Sequence, residues 1–275
     1  MTTVETTPAS VPTIGPAPGG SARRAFLAIL WRDIFVTGKE FWVLLIQVAL
    51  TPVFTLFIFA KVLGSLNYVS QDFGDLLLPG IVALAAFLTA LQSVAFPLVM
   101  EFGWTKEIED RLLAPIATNL VAVEKLVIAT LRGLLASVVM FPIGSAVLGT
   151  VPWRTSGLPL LILVLVLGAW VGAGLGITVG TAVPPPKISI MFGLIFPPLM
   201  FTGATQYPLT ELGHLRWFQI ISCLNPLTYC SEGVRAAMVP HIPHVDPWLS
   251  VGALLGFSLL FTTTGILGFR RRALS

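Results

Sequence analysis

Leu158-Pro-Leu-Leu-Ile-Leu-Val-Leu-Val-Leu-Gly-Ala-Trp-Val-Gly-Ala-Gly-Leu-Gly-Ile-Thr-Val-Gly-Thr-Ala-Val183 holds no aspartate, glutamate, lysine or arginine. A hydrocarbon core about 30 Å thick is crossed by roughly 20 apolar residues in a helix, so this stretch alone reads as membrane-spanning. Working outward, five more stretches qualify: 42–60, 76–100 and 126–149 before it, 188–206 and 248–269 after it. Of the six, only 126–149 carries a charge, Arg132. Helix is the required form, because a segment in lipid must satisfy its own backbone hydrogen bonds. A barrel would show alternating ten-residue segments, and none is present.

Composition agrees. The chain is 55% hydrophobic and only 11% charged, with a mean hydropathy of +0.90, whereas soluble domains average about 25% charged residues. The formal charge of +3 does not point to nucleic acid, because the basic residues flank the apolar runs. That placement sets orientation in a bilayer. With the N-terminus inside, the cytoplasmic segments hold Arg23, Arg24, Arg32, Lys39, Lys106, Arg111, Lys125, Lys187, Arg270, Arg271 and Arg272. The external segments hold Lys61, Arg154, Arg216 and Arg235, eleven against four. The expected fold is therefore all-α and polytopic, with six transmembrane helices, both termini cytoplasmic and a single transmembrane domain over 21–272.

Residues 1–20 lack an apolar signal-peptide core and read as a disordered tail. In 21–40, Ala22, Phe26, Ile29, Leu30 and Ile34 recur at helical spacing opposite Arg23, Arg24, Arg32 and Asp33. The pattern fits an N-terminal interfacial helix or a cytosolic extension of the first span.

The loop after span two reads Glu101-Phe-Gly-Trp-Thr-Lys-Glu-Ile-Glu-Asp-Arg-Leu-Leu-Ala-Pro-Ile-Ala-Thr118. Thr105 can cap a short helix, Glu107 lies four residues before Arg111, and Pro115 marks the stop. Ile108, Leu112 and Leu113 form an apolar face. This is either an amphipathic surface for a cytosolic partner or a solvated loop.

In span four, Gly168, Gly172, Gly176 and Gly180 make a four-residue ladder that lets a neighbouring helix approach closely. The seam belongs to intrachain packing or to a mobile or subunit-facing contact. Gln47, Thr51 and Thr55 in span one, and Thr89, Gln92 and Ser93 in span two, form polar lines that should face protein or a pathway rather than lipid. Arg132, less than two turns inside span three, can snorkel to the cytoplasm. The pair Pro197-Pro198 must interrupt or kink span five.

Segment 207–247 is too apolar for a plain loop and reads as two short helices dipping into the outer leaflet, the second beginning at Asn225-Pro226 with Glu232 and Arg235 on its polar side. Cys223 and Cys230, about 10 Å apart if on one helix, are too far apart for a disulfide. His241 and His244 lack the further ligands a metal site would need. No nucleophile or carboxylate pair converges in one membrane layer, so no catalytic, cofactor or metal site is expected on this chain.

The stretch Glu101-x-Gly-x-Thr-x-Glu through Leu113-Ala-Pro115, followed by Lys125, resembles the coupling-helix region of type-2 ABC exporter permeases. Those include the daunorubicin-type drug exporters and the polysaccharide exporters. A second likeness lies in Phe196-Pro-Pro-Leu-Met-Phe-Thr-Gly203, Tyr207-Pro208, Leu224-Asn-Pro-Leu-Thr-Tyr229 and Arg235, and the resemblance covers roughly 21–272. It implies an ATP-driven exporter of a hydrophobic drug-like molecule, lipid or glycolipid, with a second permease copy or homologue in the membrane. It further implies a cytosolic ATPase subunit holding ATP and Mg, coupled through Glu101, Thr105, Lys106, Glu107, Asp110, Arg111 and Pro115. Asn225, Pro226, Tyr229 and Arg235 would form an external gate. No G-x-x-x-x-G-K-[ST] stretch is present, so ATP chemistry would fall to another chain. Two other classes compete. An ion-coupled carrier or channel is disfavoured because no acid lies within 76–100, 126–149 or the other expected spans; a lipid-modifying enzyme is disfavoured for want of a nucleophile. Arginine outnumbers lysine, and with the resemblance this suggests a bacterial plasma membrane.

Overall fold

The computed structural model describes residues 53–66, 73–105, 118–149 and 154–273, with positions 31, 50, 68, 151 and 152. The expected tail 1–20, the interfacial helix 21–40, Gln47, Thr51 and the coupling stretch 106–115 lie outside the described residues. Among those described, all regular structure is helical. Four helices are long and apolar enough to cross a membrane: Phe73–Gly103, Asn119–Leu148, Thr155–Ala182 and Pro247–Ala273.

We label the helices in chain order. α1 is Val53–Ser65, the described part of span one. α2 is Phe73–Met100, prolonged by a π-helical turn Glu101–Thr105. α3 is Thr118–Leu148, α4 is Leu158–Ala182 and α5 is Phe196–Thr202. α6 is Arg216–Cys223, α7 is Pro226–Met238 and α8 is Pro247–Ala273.

Two boundaries differ from the sequence reading for physical reasons. α3 starts at Thr118, eight residues before the expected position 126, so Glu124 and Lys125 lie on the helix and Glu124 is buried. Arg132 is consequently fourteen residues from the helix start, about 21 Å along the axis, not within two turns of it. The apolar stretch 126–149 still holds no acid, but the helix that carries it also carries buried Glu124 in its second turn. Span five is fifteen helical residues in three pieces: Ile188–Ile190, a π-helical turn Met191–Ile195, and α5. Pro197 and Pro198 have no N–H to close onto the preceding turn, and the helix widens into the π turn just before them. At about 1.5 Å per residue it reaches about 22 Å, short of a full crossing.

α4 stands at the centre, packed by α2, α3, α7 and α8, and is apolar on every side, as a surrounded helix must be. Its glycines set the spacing. A Cβ on Gly176 would lie 2.5 Å from the Leu91 carbonyl oxygen, and one on Gly180 3.0 Å from that of Ala95. A Cβ on Gly172 would meet the Phe87 carbonyl more tightly still, with its carbon at 3.1 Å. Carbonyls four residues apart on α2 therefore face glycines four residues apart on α4. Gly168 instead meets the Cys230 side chain of α7. Where α3 meets this seam, a Cβ on Gly133 would press on the Ala86 carbonyl, come within 2.9 Å of the Ala90 Cβ and lie 3.2 Å from that of Ala169 on α4. Small residues substitute here for the hydrophobic drive that lipid cannot supply. α4 and α8 are also joined by polar contacts, Trp170 Nε1 to Thr262 Oγ1 at 2.9 Å and Thr178 Oγ1 with Thr264 Oγ1 at 3.1 Å.

Candidate functional site

Two polar constructions stand at opposite ends of the bundle. At the end where α2 begins, segment 203–207 leads from α5 into a 3₁₀ turn Leu209–His214, then α6 and α7. α7 is enclosed by α2, α4 and α8, and nearly all of its residues are buried. Glu232 and Arg235, on one side of α7, are both fully buried. They are tolerated there because each finds partners. Glu232 Oε1 accepts from the Leu209 N–H at 3.0 Å and from Arg235 Nη1, while Oε2 accepts from the Val245 N–H at 2.8 Å. Arg235 Nη2 donates to the Ala204 carbonyl at 2.9 Å. One carboxylate thus ties together the chain entering α6 and the chain leaving α7, and one guanidinium holds the turn after α5. A buried charge pair persists only with satisfied geometry of this kind.

Ala204 has φ of 50°, the left-handed region, which is uncommon for a residue with a Cβ. Gly80 of α2 explains how the turn is held. A Cβ there would come within 2.5 Å of the Thr205 carbonyl carbon and 2.7 Å of its Cα, with the oxygen closer still. Segment 203–205 is thus wedged between α2 and Arg235.

Asn225 caps α7, its Oδ1 accepting from the Leu227 N–H at 2.9 Å, and its Nδ2 reaches back to the Leu199 carbonyl at 2.7 Å and Thr202 Oγ1 at 2.8 Å. Pro226 follows in the first helical position, where a missing N–H costs nothing. Tyr229 donates to the Cys223 carbonyl at 3.0 Å. Tyr207 donates to the Phe201 carbonyl at 2.6 Å, and burial pushes its phenol above the ordinary value. Asn225, Pro226, Tyr229 and Arg235 all lie on α7 or at its cap, each with its own partners, and Glu232, named with Arg235 in the sequence but not among the gate residues, is the hub of the most connected group. Cys223 and Cys230 lie on different helices and are both free thiols. Around this core, Trp217, Ile220 and Leu224 are exposed, an apolar surface that in a membrane protein meets lipid or another subunit.

At the other end, Glu101 accepts two hydrogen bonds from Lys125 Nζ, at 2.9 and 2.8 Å, both side chains being nearly buried. The bond pins the end of α2 to the second turn of α3. Thr105 is the last residue of the π turn that continues α2; the short helix expected after it lies outside the described residues. Of the candidate pathway residues, Thr55, Thr89, Gln92 and Ser93 are partly buried, and Ser93 Oγ donates to the Ala90 carbonyl at 3.1 Å. Among the described residues no group of three or more histidine, cysteine or acidic side chains could hold a metal.

Four helices long and apolar enough to cross a bilayer make this a multi-pass membrane protein. Residues 24–239 match the sequence model of the ABC-2 type transporter family. The match covers well over half the chain: the protein belongs to that family and is a transport permease rather than an enzyme. A comparison with curated proteins matches none.

Proposed function

We propose that this chain is the membrane subunit of an ATP-binding-cassette exporter. It moves a hydrophobic drug-like molecule, lipid or glycolipid outward by alternating access, with a second copy or homologue beside it. A separate cytosolic subunit supplies ATP hydrolysis and holds ATP and Mg. Six spans with both termini cytoplasmic, in a bacterial plasma membrane, complete the reading. The family match over 24–239 carries it. The continuous run of α2 through Glu101–Thr105 supports a coupling role for 101–115, because motion of that segment would reach the span without an intervening hinge.

Buried Glu124 on α3 favours a second reading, an ion-coupled carrier, since intramembrane acids serve proton and ion coupling. ATP dependence separates the two. The tagged chain, drawn from detergent-solubilised native membranes, should bring down a nucleotide-binding subunit with measurable ATPase activity. Glu107→Arg combined with Arg111→Glu should lose that subunit or leave its hydrolysis insensitive to the permease. Folded, abundant chain with no ATPase partner would overturn the exporter reading in favour of the carrier.

A further inference from the structure

Three arginines end α8, and they do not behave alike. Arg270 and Arg271 are exposed, while Arg272 turns inward. Its Nη1 lies 2.7 Å from the Thr181 carbonyl, 3.0 Å from that of Val183 and 3.5 Å from that of Gly180. These oxygens belong to the last turn of α4 and the residue just beyond it, where a helix leaves carbonyls without partners and a cation is favoured. The same guanidinium sits over the Phe102 ring, 5.1 Å from its centroid. Phe102 also meets Phe269, three residues before Arg272 on the same face of α8, edge to face at 5.7 Å. The next residue, Gly103, bears on the turn that follows α4: a Cβ there would come within 2.7 Å of the Pro185 Cβ and nearer to its Cγ.

Phe102 belongs to the π turn Glu101–Thr105, the last described structure before 106–115. A π turn carries one more residue per closed ring than the α-helix and recurs at functional positions. The root of the loop is therefore gripped from three sides: by Lys125 of α3, by Pro185 after α4, and by Phe269 and Arg272 of α8. Arg272, on α8, touches both the end of α4 and the loop root.

We propose that Arg272 is a positioning residue for transport. Through Phe102 it joins the root of segment 101–115 to the cytoplasmic ends of α4 and α8, so that displacement of the segment moves both helices as one. This rests on the reading of 101–115 as the docking surface for an ATPase subunit. A merely structural clip would lower stability and leave the ratio of conformational response to hydrolysis unchanged. A relay sets that ratio.

The test uses the full chain with its co-purified ATPase subunit in lipid nanodiscs, carrying Cys223→Ser, Cys230→Ala and His241→Cys as the single label site. Maleimide labelling at position 241 is compared with and without ATP and vanadate, alongside ATP hydrolysis. Arg272→Ala and Phe102→Leu should shrink the nucleotide-dependent change in labelling by about twofold to fivefold while hydrolysis continues, the range expected from losing a partly exposed cation–ring contact. Phe102→Tyr keeps the ring face and should restore the change. The Phe102 pair decides the matter if Arg272→Ala fails to fold. A full labelling response in Phe102→Leu, or response and hydrolysis falling together in proportion to lost folded protein, would overturn the relay. Failure of the docking reading has a different signature: the wild-type preparation itself would contain no nucleotide-binding subunit, and the relay would fall with it.

Discussion

Glu232→Ala is expected to remove about 3–5 kcal/mol of stability, the usual cost of breaking a buried ion pair by deleting one partner. Set against a total stability of roughly 5–15 kcal/mol, that leaves little folded protein. The loss has two parts. Arg235, fully buried, keeps its charge but retains only the Ala204 carbonyl among its described partners. The N–H groups of Leu209 and Val245 lose the carboxylate oxygens that now satisfy them, and an unpaired buried donor costs about 1–3 kcal/mol. Glu232→Gln should fare better than alanine, because an amide oxygen can still accept one of these bonds. Pairing Glu232→Met with Arg235→Met removes both charges and should recover part of the loss, though not the two backbone bonds. The measurement is the temperature at which half of the detergent-purified protein leaves the monodisperse gel-filtration peak. An unchanged midpoint for Glu232→Ala would refute the hub role of this carboxylate.

Gly80→Ala should open the external segment without adding or removing any charge. Real Cβ atoms keep beyond about 3.0 Å of such neighbours, yet the added methyl would lie 2.5 Å from the Thr205 carbonyl carbon. The obstacle is backbone, so no rotamer change relieves it. α2 and segment 203–205 must part. That draws the Ala204 carbonyl away from Arg235 and loosens α7 in its slot between α2 and α4. Cys230, fully buried on α7, reports the change. In a Cys223→Ser background its maleimide labelling should rise about tenfold or more, the population shift that overpacking of about 1–3 kcal/mol produces. Equal labelling rates with and without the Gly80→Ala substitution would mean that the wedge does not hold the segment.

What can be read from the sequence divides along a physical line. α4 is legible to within a residue because its environment, lipid and apolar helix, is written in its composition. α7 is legible only in part. Its start at Asn225-Pro226 is legible, but Glu232 and Arg235 read only as its polar side, and beyond each other their partners at Ala204, Leu209 and Val245 lie outside the helix and offer only backbone groups. The spacing of Glu232 and Arg235 permits a helical pair, but spacing carries no information about burial. The start of α3 is hidden for a related reason. Lys125 and Glu124 look like loop charges, whereas the bond from Lys125 to Glu101 lets the lysine sit on the helix. In span five the Pro197-Pro198 interruption is visible, but not that the helix stops at Thr202. The glycine ladder is equally plain, though which helix it meets comes only from the register between α2 and α4.

The central claim, that a separate ATPase subunit drives this permease through 101–115, is tested most directly by a photocrosslinker placed at Ile108 in the full-length chain in its native membrane. Irradiation should yield an adduct with a polypeptide that also binds ATP, diminished when Glu107→Arg and Arg111→Glu are added, while a crosslinker at exposed Leu255 on α8 gives none. Adducts from Ile108 only with lipid or with the chain itself, in membranes where the protein is folded and abundant, would contradict it.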